Sequence, residues 1–206
     1  MTNNSKVGVL WVALCYYIGF LFLWSLSHEL SDMRAVRYPL YFAWESQIAF
    51  QAWALPLYFS LDIAVILFPF LFKSWRDAIA PVGTLFIQTA VAAIFFVLVP
   101  IEPGYETTGV WGTYFYEYFG LENLSRWNHA PSLHVSYVFT MAWVIGKRYN
   151  NTILTTALIW ATAVSISTML VHEHHLLCVL SGFALFLFTI VSVYPALQRR
   201  FYIAQD

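Results

Sequence analysis

Charge is what this chain has least of. Asp, Glu, Lys and Arg make up 10% of its 206 residues, against about 25% in an ordinary soluble domain. So few charges cannot coat a water-facing globule, which excludes a soluble enzyme or binding module. The formal net charge is −1, so no basic excess exists to meet a phosphate backbone, and nucleic acid is excluded as a partner. There are two cysteines, Cys15 and Cys178, each inside an apolar run, which excludes a disulfide framework. Repeats and low-complexity tracts are lacking. The first apolar run follows a short polar start with a single Lys6 and has no small-residue cleavage site. It reads as a retained span rather than a signal peptide.

Hydrophobic residues are abundant, at 60%, with 19% aromatic. A membrane-spanning helix needs about 20 mostly apolar residues. Six stretches qualify, roughly 7–26, 50–72, 78–99, 132–146, 154–171 and 176–194. The expected fold is all-α: a polytopic membrane protein of one domain over 1–206, a six-transmembrane helical bundle with an outward-facing site. The segment Tyr38 to Gln47 mixes aromatics with Glu45 and reads as interfacial. Residues 100–130 form the one long outer loop, a length usual for functional loops or lids. With strict alternation of spans, one side holds seven basic residues (Lys6, Lys73, Arg76, Lys147, Arg148, Arg199 and Arg200) and the other three (Arg34, Arg37 and Arg126). The bias places both termini in the cytoplasm of a cell (inner) membrane protein and the 100–130 loop outside. Five of the six histidines, His129, His134, His172, His174 and His175, then gather on the outer side.

Two of these occupy equivalent positions. His134 lies in Ala130-Pro131-Ser132-Leu133-His134-Val135, and His174 lies in His172-Glu173-His174-His175-Leu176-Leu177-Cys178. Each stands where a loop or turn gives way to an apolar run, at a helix N-terminus. Paired imidazoles beside two positive helix ends suit chemistry on a phosphate.

Pro-Ser-x-His at Pro131 to His134, followed some 40 residues later by a histidine at a span entrance, resembles the type-2 phosphatidic acid phosphatase superfamily. The stretch Asn128 to Val135 is most similar to the branch near inositol phosphorylceramide synthases. The family's third motif, Ser-Arg-x5-His-x3-Asp, aligns without gaps on Ser167-Thr168, His174 and Cys178, and Val179-Leu180-Ser181-Gly182 is similar to its continuation. The resemblance implies a lipid phosphatase or lipid phosphotransferase with no metal or other cofactor and a lipid phosphate or phospholipid as substrate. It implies His174 as the nucleophile that becomes a phosphohistidine and His134 as the acid that protonates the leaving oxygen. Ser132, Arg126, His172 and Thr168 are the candidate phosphate contacts. The chain departs from the family at three points. Thr168 replaces the motif arginine, Cys178 replaces the aspartate that orients the nucleophile, and the first motif, Lys-x6-Arg-Pro, is missing, since Lys73 is followed at that spacing by Ala80-Pro81.

Two other function classes stay open. One is a catalytically weakened relative that binds a lipid or a partner, motivated by Thr168 and Cys178. The other is a haem- or metal-binding membrane protein using His134, His172, Glu173, His174 and Cys178, although the zinc pattern His-Glu-x-x-His fails at Leu176. His129 and His175 read as local, and Glu173 as turned away from the face of His174. Asp62, roughly 16 Å below the outer end at 1.5 Å per residue, reads as a polar contact between helices. Trp111, Tyr114 and Tyr116 read as the lining of a lipid entrance. The sequence leaves the oligomeric state open.

Overall fold

The computed structural model describes residues 3–105 and 127–202. The described chain is helical, with seven α-helices: α1 (Asn3–Asp32), α2 (Leu55–Leu67), α3 (Trp75–Leu98), α4 (Leu133–Tyr149), α5 (Asn151–Leu170), α6 (Leu176–Val191) and α7 (Val193–Tyr202). Five helical stretches are long and apolar enough to cross a membrane: Ser5–Asp32, Ala52–Leu71, Trp75–Leu98, Asn151–Leu170 and Leu176–Phe201. Large apolar side chains such as Trp11, Ile18, Phe22, Ile63, Ile94, Ile159, Leu187 and Phe188 stand exposed along them. A water-soluble monomer does not display apolar surface on this scale, so these faces are the mark of a membrane protein.

The fourth expected span, 132–146, corresponds to α4. At 17 residues it is shorter than the others, and it runs to Lys147 and Arg148. Its shortness follows from its position. It packs against α2, α3, α5 and α6, and Val135, Val138, Met141 and Ala142 are almost wholly buried. A helix enclosed on all sides by protein needs no continuous lipid-facing surface. Polar side chains fasten it inside the apolar core. The Gln88 Nε2 amide on α3 donates to Thr140 Oγ1 on α4 at 2.8 Å and to Thr189 Oγ1 on α6 at 2.7 Å. One layer away, the hydroxyls of Thr89 and Tyr137 pair.

Helix starts follow local chemistry. Ser74, Ser132 and Asn150 precede α3, α4 and α5, and each side-chain oxygen accepts the N–H three residues on, as N-caps do. The interfacial segment Tyr38 to Gln47 forms no long helix. It carries one short turn, Glu45–Gln47, and lies against the start of the long loop. Tyr38 N–H donates to the Pro100 carbonyl at 3.0 Å, and Glu102 N–H donates to that of Tyr38 at 3.1 Å. Ile101 N–H donates to the Trp127 carbonyl at 3.2 Å. Asn128 bridges Ser27 and Ser31 of α1, each at 3.2 Å, so both described ends of the loop are fixed to one end of the bundle.

The α4–α6 crossing there is tight. A Cβ added at Gly182 would overlap the Ser132 carbonyl oxygen, which is backbone and cannot rotate aside. Gly182→Ala is therefore expected to push α6 off the start of α4, at a cost of about 1–3 kcal/mol from overpacking. Thermal unfolding of the detergent-solubilised protein checks this, and an unchanged midpoint would show that the crossing is looser than described.

Candidate functional site

The turn between α5 and α6 delivers three of the six histidines, His172, His174 and His175. The carbonyl of Thr168 accepts N–H groups from both Glu173 (2.9 Å) and His174 (3.1 Å), and His172 N–H donates to the Met169 carbonyl at 3.2 Å. This is the pattern that closes a helix around a left-handed residue, usually glycine. Here the left-handed residue is His172, at φ 62°, which costs of order 1–2 kcal/mol for an L side chain. The turn spends that energy to place consecutive side chains on different partners.

His174 meets His134. His134 Nδ1 and His174 Nε2 lie 3.2 Å apart, although the residues are 40 positions apart in the chain. A bond between ring nitrogens needs one N–H and one lone pair, so the two facing nitrogens share a single proton. His174 is 5% exposed, and its Nδ1 has no hydrogen-bond partner. Burial, reinforced by the neighbouring rings of His134, His129 and His175, holds its imidazolium well below the usual histidine range. The ring is neutral at pH 7. Tyr58 of α2 stacks on His134, with centroids 4.6 Å apart. Burial pushes the Glu173 carboxyl up to about 7, opposed by the neighbouring Tyr58 hydroxyl, with Asp62 adding to the rise. His129 Nδ1 donates to the Glu173 carbonyl at 2.8 Å, and its ring stands edge-on to His174 at 5.9 Å.

His175 points the other way, into a buried carboxylate. Glu45 is 0% exposed. Its Oε2 accepts from His175 Nδ1 at 2.8 Å and from Phe42 N–H at 3.2 Å, and its Oε1 accepts from Leu176 N–H at 2.9 Å. Gly104 N–H donates to His175 Nε2 at 3.0 Å, so that nitrogen carries a lone pair and Nδ1 carries the proton. The tautomer is fixed and both nitrogens are occupied. Burial lowers the imidazolium of His175 below its usual range, with Glu45 opposing the shift. The ring sits between Tyr41 at 4.9 Å and Tyr105 at 4.3 Å. Tyr105 stacks its other face on His172 at 4.2 Å.

The other sequence-derived candidates take structural partners. Ser132 is fully buried. Its hydroxyl caps α4, and its N–H donates to the Cys178 carbonyl at 3.1 Å. The Thr168 hydroxyl turns back to the Ser165 carbonyl at 2.8 Å, so this residue builds the turn through its own carbonyl. His172 Nε2 donates to the Ile48 carbonyl at 2.8 Å. Cys178 is fully buried. Arg126, Trp111, Tyr114 and Tyr116 lie outside the described residues. Asp62 is exposed on α2, and its charge reaches Tyr58 and Glu173. The α6 N-terminus, offered by the sequence to a phosphate, already holds the Glu45 carboxylate. Among the described residues no three His, Cys, Asp or Glu side chains converge as a metal site requires.

Sequence reasoning missed Glu45, Tyr41, Tyr58 and Tyr105. Only Glu45 carried a signal: a lone acid in an otherwise aromatic and apolar segment. Comparison with protein-family models, curated proteins and solved structures finds no match.

Two outcomes follow for variants of the acids. Glu45→Ala leaves the buried donors of His175 and Leu176 unpaired, at about 1–3 kcal/mol each, which a lowered thermal midpoint will register. An unchanged midpoint would deny the carboxylate its bridging role. For Glu173, the ordinary value is 4.5 and the folded one about 7. The folded state binds this proton more tightly than the unfolded chain, so its contribution to stability is greatest at low pH and falls between those values. Glu173→Gln should remove this decline, seen by comparing unfolding at about pH 5 and about pH 8. A decline of wild-type size in the variant assigns it to another group.

Proposed function

We propose that this protein is a membrane-embedded phosphoryl-transfer enzyme acting on lipid phosphates or phosphodiesters through a phosphohistidine on His174. One observation supports it above all: His134 and His174, matched by motif spacing, stand within hydrogen-bond distance of each other at 3.2 Å. In the proposed reaction, His174 Nε2 attacks phosphorus as the ester P–O bond breaks, and the leaving oxygen takes a proton from His134. Water, or the hydroxyl of a second lipid, then attacks the phosphohistidine. It gives its proton to His134, and the P–N bond breaks. A phosphorus atom does not fit between rings this close, so substrate entry separates them. In the same reading α4 is a sixth crossing, sheltered by its neighbours, and the basic residues orient both termini to the cytoplasm with the site outside.

The unpartnered Nδ1 of His174 favours a second reading, a weakened relative that binds a lipid without turning it over. An aspartate at position 178 would give that nitrogen an acceptor and stabilise the imidazolium. Cys178→Asp should then raise turnover from near nothing, whereas robust wild-type turnover rejects this reading. The leading proposal is tested with purified protein on a panel of lipid phosphates, tracking free phosphate and new lipid products. His174→Ala and His134→Ala are each expected to lower the rate by about 10²-fold or more. Equal rates in all three proteins would sink it.

A further inference from the structure

A phosphate dianion entering this site meets an electrostatic problem. Burying an unpaired charge is expensive, yet among the described residues none of the hydrogen bonds or ion pairs of His134, His172, His174 and His175 involves an arginine or lysine. Arg37, at the same end of the bundle, donates to the Arg34 and Asp32 carbonyls and lies over the Trp127 ring at 4.3 Å. The stretch 106–126, outside the described residues, has one basic residue, Arg126, against three acids, Glu106, Glu117 and Glu122. The nearest carboxylates, Glu45 and Glu173, have the wrong sign.

The pair itself can make a cation that the described residues around it do not supply. As it stands it holds one proton on its contact, and His174 Nδ1 is unpartnered on a residue that is 5% exposed. A second proton on either facing nitrogen removes the lone pair that joins the rings and forces them apart. The gap that opens is lined by two N–H donors and at least one positive charge; in the reaction proposed above, His174 Nε2 returns its proton to solvent before it attacks phosphorus, and the charge stays on His134. His172 and His175 cannot contribute equally, because their rings are held by Ile48, Gly104 and Glu45.

We infer that the His134–His174 pair is a proton-coupled site for a tetrahedral oxyanion, in which protons taken from solvent supply the charge that arginines supply elsewhere. Binding and proton uptake are then one linked event. This rests on the reading of the pair as phosphate-facing, but it makes a claim about binding that turnover does not test. The ionisable groups around the pair are Tyr58 stacked on His134, His129 and His175 beside His174, Tyr105 bonded to the His174 carbonyl, and Glu173 in the turn, with Asp62 acting on Glu173 and Glu45 behind His175. Glu173, raised to about 7, is the chief rival source of the proton.

The test is calorimetric titration of the purified full chain in detergent with sulfate, whose charge is constant across the range used. Buffers of different ionisation enthalpy report the protons taken up. The wild type is expected to bind sulfate with uptake of roughly one proton or more, and to lose affinity by about tenfold per pH unit per proton as pH rises. His174→Asn should lose most of the uptake, and Glu173→Gln should keep it. Sulfate binding with no uptake overturns the proposal, as does pH-independent affinity in the wild type, or uptake lost in Glu173→Gln and kept in His174→Asn. No sulfate binding at any pH overturns it too. A short-chain phosphatidate arm separates the sources: tighter binding than sulfate marks a lipid headgroup and equal binding a free anion, and either supports the site. A wild type that turns over no lipid can still pass, so the two proposals fail separately.

Discussion

The buried carboxylate of Glu45 is the constraint from which the rest of the site end follows. A charge wholly removed from water must be met by donors on every side, and Glu45 draws them from three places: its own segment at Phe42, the histidine turn at His175, and the first N–H of α6 at Leu176. Through His175 it reaches a fourth, Gly104, at the start of the long loop. Connections of low sequence locality are thus joined at one point. The aromatic column of Tyr41, His175, Tyr105 and His172 is the packing that surrounds this point and keeps water out.

That arrangement divides the work among adjacent histidines. His175 is fixed by a carboxylate and a backbone donor, so it is structural. His172 accepts a left-handed backbone and is held by Ile48 and Tyr105. The ring of His174, between them, has a single hydrogen-bond partner, His134, which is itself a titratable ring. Strain falls on His172 and the fixed hydrogen bonds on His175, and the residue in the middle keeps one ring hydrogen bond. Local strain of this sort is characteristic of sites rather than of scaffolding.

Much of this was legible in the sequence, and the limits have physical reasons. The long apolar helices were visible because a run of apolar residues is a local property, and the places of His134 and His174 near helix starts were visible because each stands where a loop or turn gives way to an apolar run. The short apolar run of α4 was legible, but its end was not, since the helix continues past Gly146 through Lys147 and Arg148 to Tyr149. Glu45 was noticed but taken for an interfacial residue. Its partner His175 lies 130 positions away, and no periodicity connects them. No carboxylate bonds the His174 ring among the described residues, while one from a distant segment serves the next histidine along.

The joint between α4 and α6 has a consequence for how freely this site can vary. Ser132 N–H donates to the Cys178 carbonyl, and Gly182 lies against the Ser132 carbonyl. Both contacts use main chain and the absence of a side chain. The crossing therefore depends on a glycine at position 182 and on no particular side chain at position 178. The backbone pairing that holds the two helix starts together makes no demand of its own on the side chain at position 178. Chemical equipment at that position can be exchanged without dismantling the frame that carries it.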